Sequence, residues 1–206
     1  PATLPLMSWL SQGARWFTAY RADEPAAGHF RARQLQAVLR LTPLTMLANA
    51  LNVLLVAWAF WPQGHHGFLL AWGAGVAFVV QRGLRVWLRW RRRGDWHSAS
   101  AAAMRRATLN AAVLAALWGV APMALFPGAD GPRQLLLASV TTGMMCAGGF
   151  ALATTPVAGT AYVAILGLCA AAALFLGRFP LALAVGGLLV VYGFIVLASV
   201  WATARL

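Results

Sequence analysis

Long apolar runs alternate with short polar breaks through most of this chain. Six runs come close to the roughly 20 apolar residues that a membrane-spanning helix needs. They are residues 41–61, 68–86, 107–126, 135–152, 157–176 and 181–203. Pro62 and Gly64 end the first, and Pro127-Gly128 end the third. The second is uninterrupted only to Val80, where Gln81-Arg82 follow. It still counts as a span, because Arg82 and Arg85 can snorkel to headgroups beside Trp87 and Trp90. Thr154-Thr155-Pro156 separates the fourth run from the fifth. As one helix, residues 135–176 would be about 63 Å long, twice the ~30 Å of a hydrocarbon core, so the stretch must fold back as a hairpin. The pattern predicts an all-α integral membrane protein, with a six-helix transmembrane domain over 41–206 and an interfacial segment over 1–40.

The first forty residues read differently from the rest. Met7, Leu10, Ala14 and Phe17 recur at helical spacing, with Trp9, Trp16, Tyr20, Arg15 and Arg21 around them. Such a stretch is expected either to lie as an amphipathic helix on the inner leaflet or to form a mobile arm with a membrane preference. Asp23-Glu24-Pro25 opens a second helical stretch, with Phe30, Leu35, Val38 and Leu39 on one side, that leads into the first span through Pro43. Residues 4–9 are too short for a signal-peptide core and lack a basic flank. The start at Pro1 is what a processed or truncated product would show.

Composition sharpens this picture. With 61% hydrophobic and 10% charged residues and a mean hydropathy of +0.72, the chain cannot hide its apolar surface in one globular core. A soluble enzyme, a disulfide scaffold and a disordered tail are excluded. The net charge of +12 would suggest nucleic acid in a soluble protein, so the placement of the charge decides. All sixteen basic residues are arginine, and fourteen of them fall on one side of the membrane in the six-span topology; only Arg133 and Arg178 fall on the other. The positive-inside rule then puts both termini in the cytoplasm. A bacterial inner membrane is the expected location. The run from Arg89 to Arg93 reads as a lipid-facing topology signal and not as a nucleic-acid patch. The expected partners are a lipid bilayer with an anionic inner leaflet and a second copy (a homodimer) or other membrane protein subunits.

Chemistry is sparse. No Asp, Glu, Lys or His lies in the core of any span, so a proton-coupled transporter would lack its usual groups and a b-type haem its facing histidines. His65 and His66 are weak metal candidates in one loop, a plain polar turn being the better reading, and no metal or cofactor is expected. Cys146 and Cys169 read as small buried hydrophobes. Met144-Met145-Cys146 are consecutive and cannot all face one copper site on a helix. Asn49 and Asn52 share a face of the first span, with Thr45 and Thr42 nearby. They are expected to serve as interhelical hydrogen-bond glue, the alternative being the wall of a small ligand pocket. Ser139, Gly143, Ala147 and Ala151 repeat every four residues on the fourth span. Ala111, Ala115 and Gly119 do so on the third, and Ala182 with Gly186 on the sixth. These stripes predict close helix packing, within a compact bundle or at a dimer face. No phosphate loop, nucleophile elbow, zinc motif or long repeat is present, so no catalytic residue and no enzymatic turnover are expected.

Two stretches nevertheless carry a resemblance. Arg33-Gln34-Leu35 and Arg40-Leu41-Thr42-Pro43 lead into the Asn49/Asn52 helix, and Gly143-Met-Met-Cys-Ala-Gly-Gly-Phe150 is followed by Ala153-Thr-Thr-Pro156. Together they resemble the multi-pass sensor region of membrane-anchored bacterial cyclic di-GMP signalling proteins, in which such a region precedes cytoplasmic GGDEF and EAL domains. The resemblance runs over residues 31–206. It implies a non-catalytic inner-membrane anchor and sensory module for a cyclic di-GMP output domain, a diguanylate cyclase or phosphodiesterase. No GGDEF or EAL sequence is present, so no residue of either activity carries over. By this resemblance, the chain stops where a cytoplasmic signalling helix would begin. The competing expectations are an accessory structural subunit of a larger membrane complex and, third, a small-solute carrier. The arginine- and alanine-rich usage is compatible with a GC-rich bacterial genome.

Overall fold

The computed structural model describes residues 25–94, 98–177 and 182–203. Among these residues 92% are helical and none is in a strand. The helices are α1 (Pro25–Phe60), α2 (His66–Arg93), α3 (Ala101–Leu125), α4 (Gly131–Ala151), α5 (Pro156–Leu176) and α6 (Ala182–Thr203). All six are long and apolar enough to cross a membrane. The amphipathic segment expected around Met7 to Phe17 lies outside the described residues.

Contacts between ends define the two faces of the bundle. At one end Ala99 meets Gly28 and Arg31, Thr154 meets Gln34, and Trp201 meets Thr160. At the other, Arg133 meets Ala59, Gln134 meets Phe126, and Gly177 closes on Phe126. The arginines of α2 and of the start of α3 lie toward the first, which we call the arginine-rich end.

The local chemistry explains the helix limits. Ser100 caps α3, its hydroxyl accepting from Ala103 N–H, so this helix begins six residues before the expected 107. Asp130 caps α4 in the same way through Arg133 N–H. Gly64, at φ +82°, adopts the left-handed turn that lets α2 reverse on α1. The α4–α5 hairpin turns at Thr154-Thr155-Pro156, as the sequence requires, with Thr155 N–H and hydroxyl both donating to Leu152 O.

Residue 40, the expected end of the interfacial segment, lies inside α1. Helix α1 runs through it without a break for 36 residues, about 54 Å at 1.5 Å per residue. Pro43 removes one backbone donor, and the Thr42 and Thr45 hydroxyls donate to the Val38 and Thr42 carbonyls around it. Residues before the span pack on the bundle instead of lying apart from it. Ala32, Leu35, Ala99 and Met104 form a small cluster of their own, while Phe30 is exposed.

The main core lies between α1, α2, α3, α4 and α5, around Val56, Phe60, Trp72, Trp118, Tyr162 and Leu166. The most extensive helix pair is α3 with α5, and among the described residues α6 packs mainly against α5 and α4. The α3 stripe does what its spacing predicts. Ala111, Ala115 and Gly119 are buried, and a Cβ on Gly119 would come within 2.6 Å of Cys169. Among the described residues the α4 stripe has no neighbour within the single chain. Ser139, Gly143 and Ala147 are exposed, Ala151 is half-buried, and a Cβ at Gly143 would meet nothing within 4 Å. The packed face of α4 is Leu137, Thr141, Met145 and Gly149, joined by Gly148, which lies under the Tyr162 ring. Both sets repeat every four residues, two positions out of phase, and two residues turn a helix by about 200°. Gly186 likewise faces open space, and the side chain of Ala182 lies outside the description. Cys146, expected inside, is exposed on the same outer side of α4 as Gly143.

Candidate functional site

The polar residues singled out on α1 meet in the core. Asn49 is only 3% exposed. Its Oδ1 accepts from Trp118 Nε1 at 2.7 Å, and its Nδ2 donates to Thr45 O at 2.7 Å. Asn52, one turn on, donates to Met144 Sδ at 3.1 Å. Trp118 stands edge-on to Trp72, with ring centroids 5.2 Å apart, and Trp72 Nε1 donates to Leu117 O at 2.8 Å. Four helices are tied together in this way: α1 to α3, α1 to α4 and α2 to α3.

This geometry favours glue over a pocket. Both ends of the Asn49 amide are engaged within the protein, so little is left over for a ligand. The cavity found among the described residues lies elsewhere, near Pro122, Phe126, Thr141, Thr142 and Leu189, and holds about 30 Å³. That is room for water and not for a solute. Trp118 and Met144 were not anticipated as partners. The signal for Trp118 was its place in mid-span, since membrane tryptophans concentrate at interfaces and a buried indole N–H needs an acceptor.

His65 and His66 are not joined by further ligands among the described residues. His65 and His66 are both exposed, and His66 stacks on Trp61 at 4.4 Å. Among the described residues no three His, Cys, Asp or Glu side chains come together. Met144 and Met145 are buried while Cys146 is exposed, so this run does not converge either.

A second polar constellation, at the arginine-rich end, holds α1 to two other segments. Arg31 is 4% exposed and its Nε donates to Ala99 O at 2.9 Å, while Ala99 N–H donates to Gly28 O at 3.0 Å. Gln34 is buried beside it, its backbone carbonyl accepting from the Thr154 hydroxyl at 3.2 Å. Its side-chain Oε1 is enclosed and has no donor. Thr155, one residue along, is buried too. The start of α3 and the α4–α5 turn are thereby both fastened to the first turns of α1. Arg31 was read as one charge among many. The signal for its burial was its position four residues before Leu35, on the helix face that packs.

Compared with protein-family models, with curated proteins and with solved structures, the chain matches none.

Proposed function

We infer that this chain is a non-catalytic anchor and sensory module of a bacterial inner membrane, with its arginine-rich end in the cytoplasm, serving a cyclic di-GMP signalling output domain. The observation that carries the reading is the joint at that end. Arg31 and Gln34 fasten α1 to the start of α3 and to the α4–α5 turn, so displacement of either segment bears directly on α1. A sensor needs its spanning helices coupled to one another so that a change in one reaches the others, whereas an inert anchor does not. Fourteen of sixteen arginines support the orientation. The resemblance at residues 33–43 and 143–156, which includes Gln34 and Thr154, supports the kind of output. The chemistry of the output would belong to that domain, because neither polar constellation offers an acid, a base or a phosphate cradle.

The test is to express the full reading frame that contains this chain and measure cellular cyclic di-GMP. Continuation into a GGDEF or EAL domain is expected. So is a changed cyclic di-GMP level when Arg31→Ala or Thr154→Ala loosens the joint while the protein stays in the membrane. A reading frame with no such domain, in a protein that co-purifies stoichiometrically with a larger membrane complex, would overturn this reading in favour of an accessory subunit.

A further inference from the structure

Arg82, Arg85, Arg89 and Arg92 follow one another along α2 at intervals of three, four and three residues. That spacing keeps them within an arc of about 80° on a helix of 3.6 residues per turn. The arc faces away from Leu69, Trp72 and Val76, which are buried against the core. All four arginines are exposed. Among the described residues the sole ion pair is Arg133 with Asp130, at the opposite end of the bundle. The one hydrogen bond within the ladder runs from Arg89 Nε to Arg85 O at 3.3 Å.

The ladder straddles the end of the span. Arg82 and Arg85 lie in the last turn of the 68–86 span, Arg82 about 6 Å inside its end, while Arg89 and Arg92 lie beyond it. Gly83, next to Arg82, packs against the Met46 side chain, inside the span of α1. Six residues outward from that pair on each helix, the exposed Arg40 stands at the depth of Arg89. Charges in spanning helices normally face the bundle interior or pair there, because hydrocarbon solvates them badly. Here they face outward.

We propose that this outer face of α2 binds the phosphodiester headgroup of an anionic phospholipid, drawn inward from the arginine-rich surface. Arg85 and Arg89 grip the phosphate, with Arg82 deeper and Arg92 shallower. Guanidinium forks donate to two phosphate oxygens at once, a geometry that an ammonium group cannot match. The spans themselves carry no acidic residue, since Asp23, Glu24, Asp95 and Asp130 all lie outside them, so the counter-charge at the depth of Arg82 and Arg85 must come from a lipid phosphate. The site is independent of the sensory reading above.

The experiment measures lipid retention by the purified full chain in neutral detergent, using native mass spectrometry with added phosphatidylglycerol, phosphatidylcholine or inorganic phosphate. Phosphatidylglycerol is expected to bind at least tenfold more tightly than phosphatidylcholine. Arg85→Gln with Arg89→Gln should weaken it about 25-fold, at roughly fivefold per arginine near a surface. Arg85→Lys with Arg89→Lys keeps the charge, removes the forks, and should lose several-fold. Arg105→Gln with Arg106→Gln removes equal charge from exposed positions on α3 and should change little. Equal losses in the α2 and α3 pairs would mean diffuse attraction and overturn the site. Competition by inorganic phosphate as strong as by the lipid would overturn the lipid as its source. No preference between the two lipids, with an acidic protein retained instead, would assign the face to a protein partner and overturn the proposal. If the glutamine pair fails to fold, raising salt on the unaltered protein must still release phosphatidylglycerol selectively, and failure to do so would overturn it as well.

Discussion

On the inner side of α4, Thr141, Met145 and Gly149 are buried and Gly148 lies directly beneath Tyr162. On the outer side, Ser139, Gly143 and Ala147 are exposed, with Leu135 and Phe150 beside them. Both sides carry glycine in the same 21-residue helix, Gly148 and Gly149 inside and Gly143 outside. The inner glycines are fixed by contact, since a Cβ at Gly149 would collide with Val196 and one at Gly148 with the Tyr162 ring. The outer glycine touches nothing within 4 Å of where its Cβ would be. The comparison teaches that small-residue spacing marks a surface that can pack closely, while the neighbour decides whether it does. In lipid this matters more than in water, because close contact and hydrogen bonding replace the hydrophobic force between helices.

The largest expected effect comes from filling the inner face. Gly148→Leu drives a branched side chain into the Tyr162 ring, and the helices can respond only by separating. A loss of about 3 kcal/mol is expected, at the upper end for overpacked cores. Thermal unfolding of the detergent-solubilised protein checks it, and an unchanged midpoint would mean that α4 and α5 are not in contact there.

Next comes the polar tie on the same side of the bundle. Asn49→Ala leaves Trp118 Nε1 buried without its acceptor, for a loss of about 1–2 kcal/mol. Asn49→Ala in a Trp118→Phe background should cost clearly less, since the orphaned donor is gone. Additive losses in that double-mutant cycle would deny the bond. A smaller effect is expected at the far end of α4. Arg133 Nε donates to Ala59 O at 2.8 Å, near the C-terminus of α1, while its guanidinium also pairs with the capping Asp130. Arg133→Ala should lose about 0.5–1 kcal/mol, the usual worth of a cation at the negative end of a helix. High salt should reduce that difference, and an undiminished difference in 1 M salt would mean that the contribution is packing.

What the sequence revealed and what it hid follow the same physics. The α4–α5 hairpin was readable because a length of 63 Å cannot fit a bilayer, and Pro156 could only start a helix. Six spans were readable for the same reason of length. The face of α4 that packs was not, because the Thr141 and Gly143 rows share one period, and the row of small residues is the one left without a neighbour. Asn49 was recognisable as a residue needing a partner, yet its partner Trp118 lies 69 positions away on α3. Nothing local encodes that pairing. The burial of Arg31 was hidden for a different reason, as arginine counts report topology and not which guanidinium is drawn into the protein.

Gly143→Leu is the smallest effect and the sharpest check on the comparison. With nothing within 4 Å, the new side chain extends away from the bundle and displaces no neighbour. Helix formation gains slightly, because glycine is the weaker helix former of the two by nearly 1 kcal/mol in water. Lipid contact neither rewards nor penalises leucine strongly against its surroundings. The unfolding midpoint of the detergent-solubilised monomer should therefore change by no more than about 0.5 kcal/mol of stability. Gly148→Leu, five residues along the same helix, makes the same chemical change on the opposite side. If the two variants destabilise equally, the inner and outer faces of α4 are wrongly assigned, and the rotation of that helix about its axis must change. If Gly143→Leu leaves the monomer untouched, the stripe is free of intramolecular duty, as its exposure requires.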